Sequence, residues 1–260
     1  MELHQVRRGS GKPLVLIHGL GSSWRTWSTI IEPLAAEREV IAIDLPGFGG
    51  TPKLAGLSNI ETLADAVTAF MDAQSLCRAD VVGSSMGARL VLELARRGTV
   101  GAAVALAPGG FWTRRERVIF GGSVALSVKL VRRLQPILPV LTGNPVGRAL
   151  LFAQFSARPW RLPSELALTE LRSFAHSPAF DEVLDALAHG PDQQGSATTE
   201  RPVTIGWGRQ DLVCLPRQAR RALRRFPTAR LHWFDACGHF PHWDRPGETT
   251  KLILEATGHL

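Results

Sequence analysis

The sequence predicts an α/β protein, a mostly parallel sheet flanked by helices into which a helical segment is inserted. Three observations carry that expectation. Short apolar runs alternate with stretches of helical periodicity along most of the 260 residues, the pattern of strands joined by crossover helices. A glycine-flanked serine turn, Gly83-Ser-Ser-Met-Gly87, stands between an apolar run and a helical pattern. Residues 111–195 break the alternation: they read as helix throughout, punctuated by Pro136, Pro139, Pro145, Pro159, Pro163 and Pro178.

Taken in order, residues 14–17 form the first apolar strand, followed by a glycine turn, and residues 40–43 form the next, ending at Asp44-Leu-Pro-Gly47. Leu63, Val67, Phe70 and Met71 recur at helical spacing and predict a helix over 60–74. Residues 80–82 are a buried strand that breaks at Gly83, and 88–97 a helix stopped by Gly98. A strand over 100–107 ends at Pro108-Gly-Gly110. Beyond the helical segment come strands at 203–205 and 230–234, a helix near 217–225 between them and a last helix at 248–256. The expected domains are therefore a sheet core, 1–110 and 196–260, and a helical cap, 111–195, returning through Gly190-Pro-Asp-Gln-Gln-Gly195.

Composition narrows the class. The chain is 45% hydrophobic and 20% charged, ordinary for a folded domain. Its three cysteines, Cys77, Cys214 and Cys237, are odd in number and lack metal-ligand spacing, so they read as reduced thiols of a cytoplasmic protein. Residues 1–12 lack the apolar centre of a signal peptide. The longest apolar stretch, 118–128, is closed by Lys129, Arg132 and Arg133 and is too short to span a membrane.

The net charge of +7 sits in the cap: residues 111–161 hold nine Lys or Arg and only Glu116 as an acid, leaving the remainder at about −1. Such a segment reads first as a solvated basic face, and otherwise as an attractor of anionic substrates, acidic carrier proteins or membrane surfaces. Nucleic acid is not expected, because the basic residues are interleaved with aliphatic ones and no nucleic-acid motif is present. No metal, nucleotide or flavin motif occurs either. The expected partner is a small-molecule ester or acyl substrate, and the expected state a monomer or homodimer.

The chemistry centres on Ser85. G-x-S-x-G puts a nucleophile at a tight strand-to-helix turn, where the flanking glycines avoid Cβ clashes and the helix N-terminus favours developing negative charge. Ile17-His-Gly-Leu-Gly21, also after a strand, provides backbone donors for an oxyanion: the N–H of Leu20 is one and that of Met86, next to the nucleophile, the other. An Asp just past a strand end, Asp211, and a His just past another, His239, complete the order Ser, Asp, His. A serine hydroxyl needs an imidazole to take its proton, and the imidazole needs a carboxylate to fix its tautomer. Of the rivals, Asp235 reads as a structural surface acid, Asp244 as a local cap or ion-pair partner, His242 as a polar loop residue, His18 as shaping its loop and Asp44 as leading into a structural turn.

These segments together resemble the α/β-hydrolase superfamily in its capped branch, with carboxylesterase-like members. Asp44-Leu-Pro-Gly-Phe-Gly-Gly-Thr51, Ser22-Ser-Trp-Arg-Thr-Trp27 and Gly238-His-Phe-Pro241 with Pro246 are similar to its loops. The resemblance covers about residues 3–110 and 200–258 and implies the same triad and oxyanion residues. Epoxide hydrolases and haloalkane dehalogenases of the branch carry Asp where this chain has Ser85. Carbon–carbon hydrolases often carry Asn where Ser84 stands, and haloperoxidases Phe. Ester, thioester or lactone hydrolysis is the leading expectation, carbon–carbon hydrolysis with the same triad the alternative, and a binding protein on this fold the third. The aliphatic cap predicts an apolar acyl pocket walled by Trp24, Phe111, Trp112, Phe152 and Phe155, with a basic entrance around Arg114, Arg115, Arg117, Arg132 and Arg133.

Overall fold

The computed structural model describes residues 2–258. Seven strands form one sheet: β1 (Gln5–Arg8), β2 (Pro13–Ile17), β3 (Glu39–Ile43), β4 (Asp80–Ser84), β5 (Ala103–Leu106), β6 (Val203–Gly208) and β7 (Arg230–Phe234). Their order is β1-β3-β2-β4-β5-β6-β7. Among the described residues only β1 is antiparallel to its neighbour, pairing Gln5 with Ile43 and Arg8 with Val40; the five other pairings are parallel.

Alternation along the strands builds two apolar layers. Val15, Ile17, Ile41, Ile43 and Val81 face one core, shared with helices α2 (Ile60–Ala73), α3 (Met86–Arg96) and α9 (Ala219–Arg225). Leu14, Leu16, Val40, Ala42, Val82 and Val104 face the other, with Trp27 and helices α1 (Ile31–Ala35) and α11 (Pro246–Ala256). Both faces are covered, so the strands are nearly continuous hydrophobic runs rather than half-polar ones.

Between β5 and β6 the chain forms α4 (Arg114–Leu134), α5 (Leu138–Gly143), α6 (Pro145–Phe152), α7 (Ser164–His176) and α8 (Phe180–His189). Helix α4 opens with a capping box, the Thr113 hydroxyl accepting from Glu116 N–H and Glu116 accepting from Thr113 N–H. Phe120, Val124 and Val128 from α4 join the sheet core, while Val131, Leu138, Leu166, Leu171 and Phe152 pack with one another and with Trp243 of α10 (Pro241–Asp244). None of the helices among the described residues is long and apolar enough to cross a membrane.

Several boundaries differ from the sequence reading. The strand expected over 100–107 is only β5, because Asp80 Oδ1 accepts the Ala102 N–H at 2.8 Å and bends the approach. Strands β4 and β6 run further than expected, through Ser84 and Gly208, since small residues there still pair with neighbours. Strand β1 was invisible: Gln-Val-Arg-Arg lacks an apolar run because an edge strand needs none. Met1, His259 and Leu260, the outermost positions of the predicted core, lie outside the described residues.

Candidate active site

Strand β4 and helix α3 meet at Ser85, which takes φ 56° and ψ −112°. A non-glycine residue adopts that backbone only where its surroundings enforce it. The enforcement is close packing. A Cβ on Gly87 would come within 2.1 Å of the Ile17 carbonyl oxygen, and one on Gly83 within 2.1 Å of the Gly87 carbonyl oxygen. Only glycine lets α3 press onto the ends of β2 and β4, and that pressure turns Ser85 outward.

His239 and Asp211 reach Ser85 from the ends of β7 and β6. His239 Nε2 lies 2.8 Å from Ser85 Oγ, and His239 Nδ1 2.9 Å from Asp211 Oδ2. The second oxygen of Asp211 accepts the N–H groups of Val213, at 2.8 Å, and Cys214, at 2.9 Å. The carboxylate is thus held in the one orientation that faces the imidazole. His239 and Asp211 are buried, each 1% exposed.

The loop carrying His239 is tied to the helical segment. His239 N–H donates to the Phe155 carbonyl at 2.8 Å. Asp244 accepts from Gly238 N–H at 2.7 Å, from Ala157 N–H at 2.9 Å and from the Ser156 hydroxyl. Asp244 therefore clamps this loop to the inserted segment, more than the local cap the sequence suggested.

The turn after β2 passes over the serine: a Cβ on Gly19 would lie 3.2 Å from Ser85 Cβ. Among the described residues neither Leu20 N–H nor Met86 N–H is taken by another group. His18 shapes this turn. Burial lowers its proton affinity, and the neutral ring accepts Leu45 N–H on Nε2 at 3.0 Å while Nδ1 faces the Gly19 carbonyl at 2.7 Å.

Asp44 is equally structural, accepting from Trp24 N–H at 2.6 Å and Gly50 N–H at 2.8 Å, with His4 Nδ1 2.8 Å away. His242 is not the polar loop residue expected. It is buried in α10 against Trp27, with burial pulling its pKa down to about 3 and His239 adding to the effect. Asp235 is a surface acid paired with Arg209 at 2.6 Å. Burial raises the thiols of Cys214 and Cys237 well above their ordinary range, so neither is a thiolate nucleophile at neutral pH.

Above Ser85 lies a cavity bounded by the turn at 20–22, by α3 and by the helical segment. Trp112, Phe152 and Phe155 are in its wall. Trp24 and Phe111 are not. The Trp24 backbone is drawn to Asp44 and its ring carries the Arg25 guanidinium 4.8 Å from the ring centroid. Phe111 is spent in the sheet core.

The wall also holds Leu20, Val124, Leu171, Phe174, Phe240 and Trp243, and two ionisable residues missed in the sequence, Arg89 and Glu170. Arg89 donates to Gln193 and to the Pro191 carbonyl and leaves Nη1 without a partner among the described residues. Burial lowers its pKa to about 10, partly offset by Asp192. Glu170 is 6% exposed. Burial pushes its carboxyl up to about 8, the Ser22 hydrogen bond opposes this and Asp44 adds to it.

A signal for Glu170 was present: an acid inside the apolar stripe Leu166, Ala167, Leu171 of one helix. The basic segment is less free than its charge suggested. Arg117 and Arg132 pair with Asp192 and Asp181, and the buried Arg148 donates to the Thr142 and Trp160 carbonyls.

Residues 14–252 match the model of the alpha/beta hydrolase family. The chain is 30% identical to the 2-hydroxy-6-oxo-2,4-heptadienoate hydrolase of Pseudomonas putida, over 96% of this chain and 90% of that one. Among solved structures, a thermophilic esterase from Thermogutta terrifontis superposes with a TM-score of 0.76 at 20% identity, covering 97% of this chain and 92% of the other. The enol-lactonase of Burkholderia xenovorans LB400 superposes at 0.78 and 21%, covering 98% and 95%. On the family match and the sheet it describes, this chain belongs to the alpha/beta hydrolase family.

Proposed function

We propose that the protein hydrolyses a carboxylic ester, thioester or lactone through an acyl-enzyme on Ser85. The observation that carries this reading is the unbroken line Ser85 Oγ, His239, Asp211 at 2.8 and 2.9 Å beneath an apolar cavity. His239 Nε2 takes the Ser85 proton as Oγ attacks the acyl carbon, and returns it to the leaving alcohol or thiol. Asp211 keeps the other ring proton on Nδ1 and stabilises the imidazolium. The N–H groups of Leu20 and Met86 receive the oxyanion. Water, activated by His239, then releases the acid. Helices α4–α8 act as the cap that shapes the acyl pocket, with Trp112, Phe152 and Phe155 in its wall.

A second reading, carbon–carbon hydrolysis on the same triad, is favoured by the Pseudomonas putida relative and by the unpartnered Nη1 of Arg89, which suits a substrate carboxylate. The two are separated by assaying p-nitrophenyl esters from acetate to palmitate beside a vinylogous diketone acid, in wild type and Ser85→Ala. Ester turnover that falls by about 10³ or more in the variant supports the first reading. Turnover of the diketone with esters untouched replaces it with the second.

A further inference from the structure

We propose that Glu170 is the polar contact of this cavity for its substrate: its carboxyl hydrogen bonds a neutral oxygen acceptor, such as a carbonyl, ester or ether oxygen, and turns away a ligand that would place a carboxylate there. The proposal rests on the reading of this cavity as the substrate site. Glu170 lines the cavity from α7, yet its Oε1 is buried with no hydrogen-bond partner among the described residues. A buried polar atom left unmatched costs free energy unless something else completes it. Its other oxygen is satisfied: the Ser22 hydroxyl donates to Oε2 at 2.8 Å. Ser22 belongs to the turn that carries Leu20, so the Glu170 carboxyl is fixed relative to the predicted oxyanion site.

With Oε2 accepting from Ser22, the carboxyl proton is left on Oε1, where it acts as a donor. The neighbours explain why the group keeps that proton. Leu20, Leu171 and Phe174 share the wall with it, so an ionised form would be poorly solvated. The charged and titratable groups around it are Asp44 behind the turn and Arg89 and His239 elsewhere in the wall. Asp44 is acidic and makes the local field negative. The carboxyl is protonated below about pH 8, a carboxylic acid held neutral in an apolar site so that it can donate. A substrate carboxylate in the same place would leave two carboxyl groups sharing one proton, with a buried negative charge beside Asp44. A neutral acceptor completes Oε1 without that charge.

The test reads binding in Ser85→Ala protein, so that it does not depend on which bond the enzyme cuts. Calorimetry compares 2-octanone, a neutral acceptor, with octanoate, an anion of equal chain length, at pH 6.5 and pH 9.5. These lie on either side of the Glu170 titration at about 8. At pH 6.5 the ratio of ketone to octanoate affinity is expected to fall by about threefold or more on adding Glu170→Leu, a comparison that leaves any attraction of octanoate to Arg89 unchanged. Adding Glu170→Gln, which keeps a donor, should hold ketone affinity within about threefold, whereas Glu170→Leu should weaken it about threefold to tenfold. At pH 9.5 ketone binding should weaken by a similar factor with Glu170 and stay unchanged with Glu170→Gln.

Ketone affinity indifferent to pH and to Glu170→Leu would overturn the proposal, as would failure of both ligands to bind. Ester hydrolysis by the Ser85 enzyme is measured separately. Hydrolysis without any Glu170 effect removes this proposal alone, and the binding pattern without hydrolysis removes the esterase reading alone.

Discussion

Glu170→Gln should stabilise the fold, by an amount that grows with pH. In the unfolded chain the carboxyl ionises near its ordinary value of 4.5; in the fold it holds its proton to about 8. Below 4.5 both states are protonated and the titration of this residue costs nothing. As pH rises from 4.5 to 8 the unfolded state loses the proton and the folded state keeps it, so stability falls by about 1.4 kcal/mol for each pH unit. Above 8 the loss levels off, at an upper bound of about 5 kcal/mol for the whole interval. Glutamine has nearly the same shape, can accept from Ser22 and does not titrate.

The variant should therefore match wild type within about 1 kcal/mol at pH 5 and exceed it by about 3 kcal/mol at pH 7 and about 5 kcal/mol at pH 9. Denaturant unfolding of both proteins at the three pH values measures this, and every other titration cancels in the difference. Stability curves that stay parallel from pH 5 to pH 9 would show that Glu170 ionises normally in the fold, and the argument from its burial would be refuted.

Two further outcomes follow from the geometry of the triad and its turn. Asp211→Asn should lower kcat by about 10⁴ with KM nearly unchanged. The Val213 and Cys214 N–H groups demand an acceptor on one side, so the new amide N–H₂ is forced toward His239 Nδ1 and selects the wrong tautomer; steady-state kinetics at pH 7 would contradict this if kcat fell less than about tenfold. Gly87→Ala should destabilise the fold by about 2–4 kcal/mol, because its Cβ would lie 2.1 Å from the Ile17 carbonyl oxygen and 2.5 Å from that of His18, both backbone atoms that cannot move independently of β2; a thermal unfolding midpoint unchanged from wild type would contradict that.

Much was legible from local sequence. Periodicity separates strands from helices because a two-sided sheet makes its strands uniformly apolar and leaves helical stripes between them. Gly83 and Gly87 mark the turn because no larger residue fits against β2 and α3. Asp211 and His239 stand out as an acid and a histidine just beyond strand ends; β5 separates β6 and β7 from β4, and the loops after β6 and β7 reach back along the sheet end to Ser85. The edge strand β1 escaped because its partner lies on one side only. Arg89 was passed over because charged residues within helical patterns are ordinarily solvated, and Glu170, although it interrupts the apolar stripe of its helix, was passed over on the same expectation.

The sequence by itself determined the fold class, the serine turn and the residues placed at the strand ends, all of which depend on contacts between neighbours along the chain or on the regular spacing of strands in a sheet. The tertiary structure alone decided what surrounds the serine. Trp24 and Phe111 left the cavity wall for Asp44 and for the sheet core, Asp244 joined the His239 loop to the helical segment, and Glu170 came to lie beside Ser22, 148 residues away. Those outcomes depend on how the helices dock over the sheet. Docking is set by the packing of side chains distant in sequence, and no local pattern encodes it.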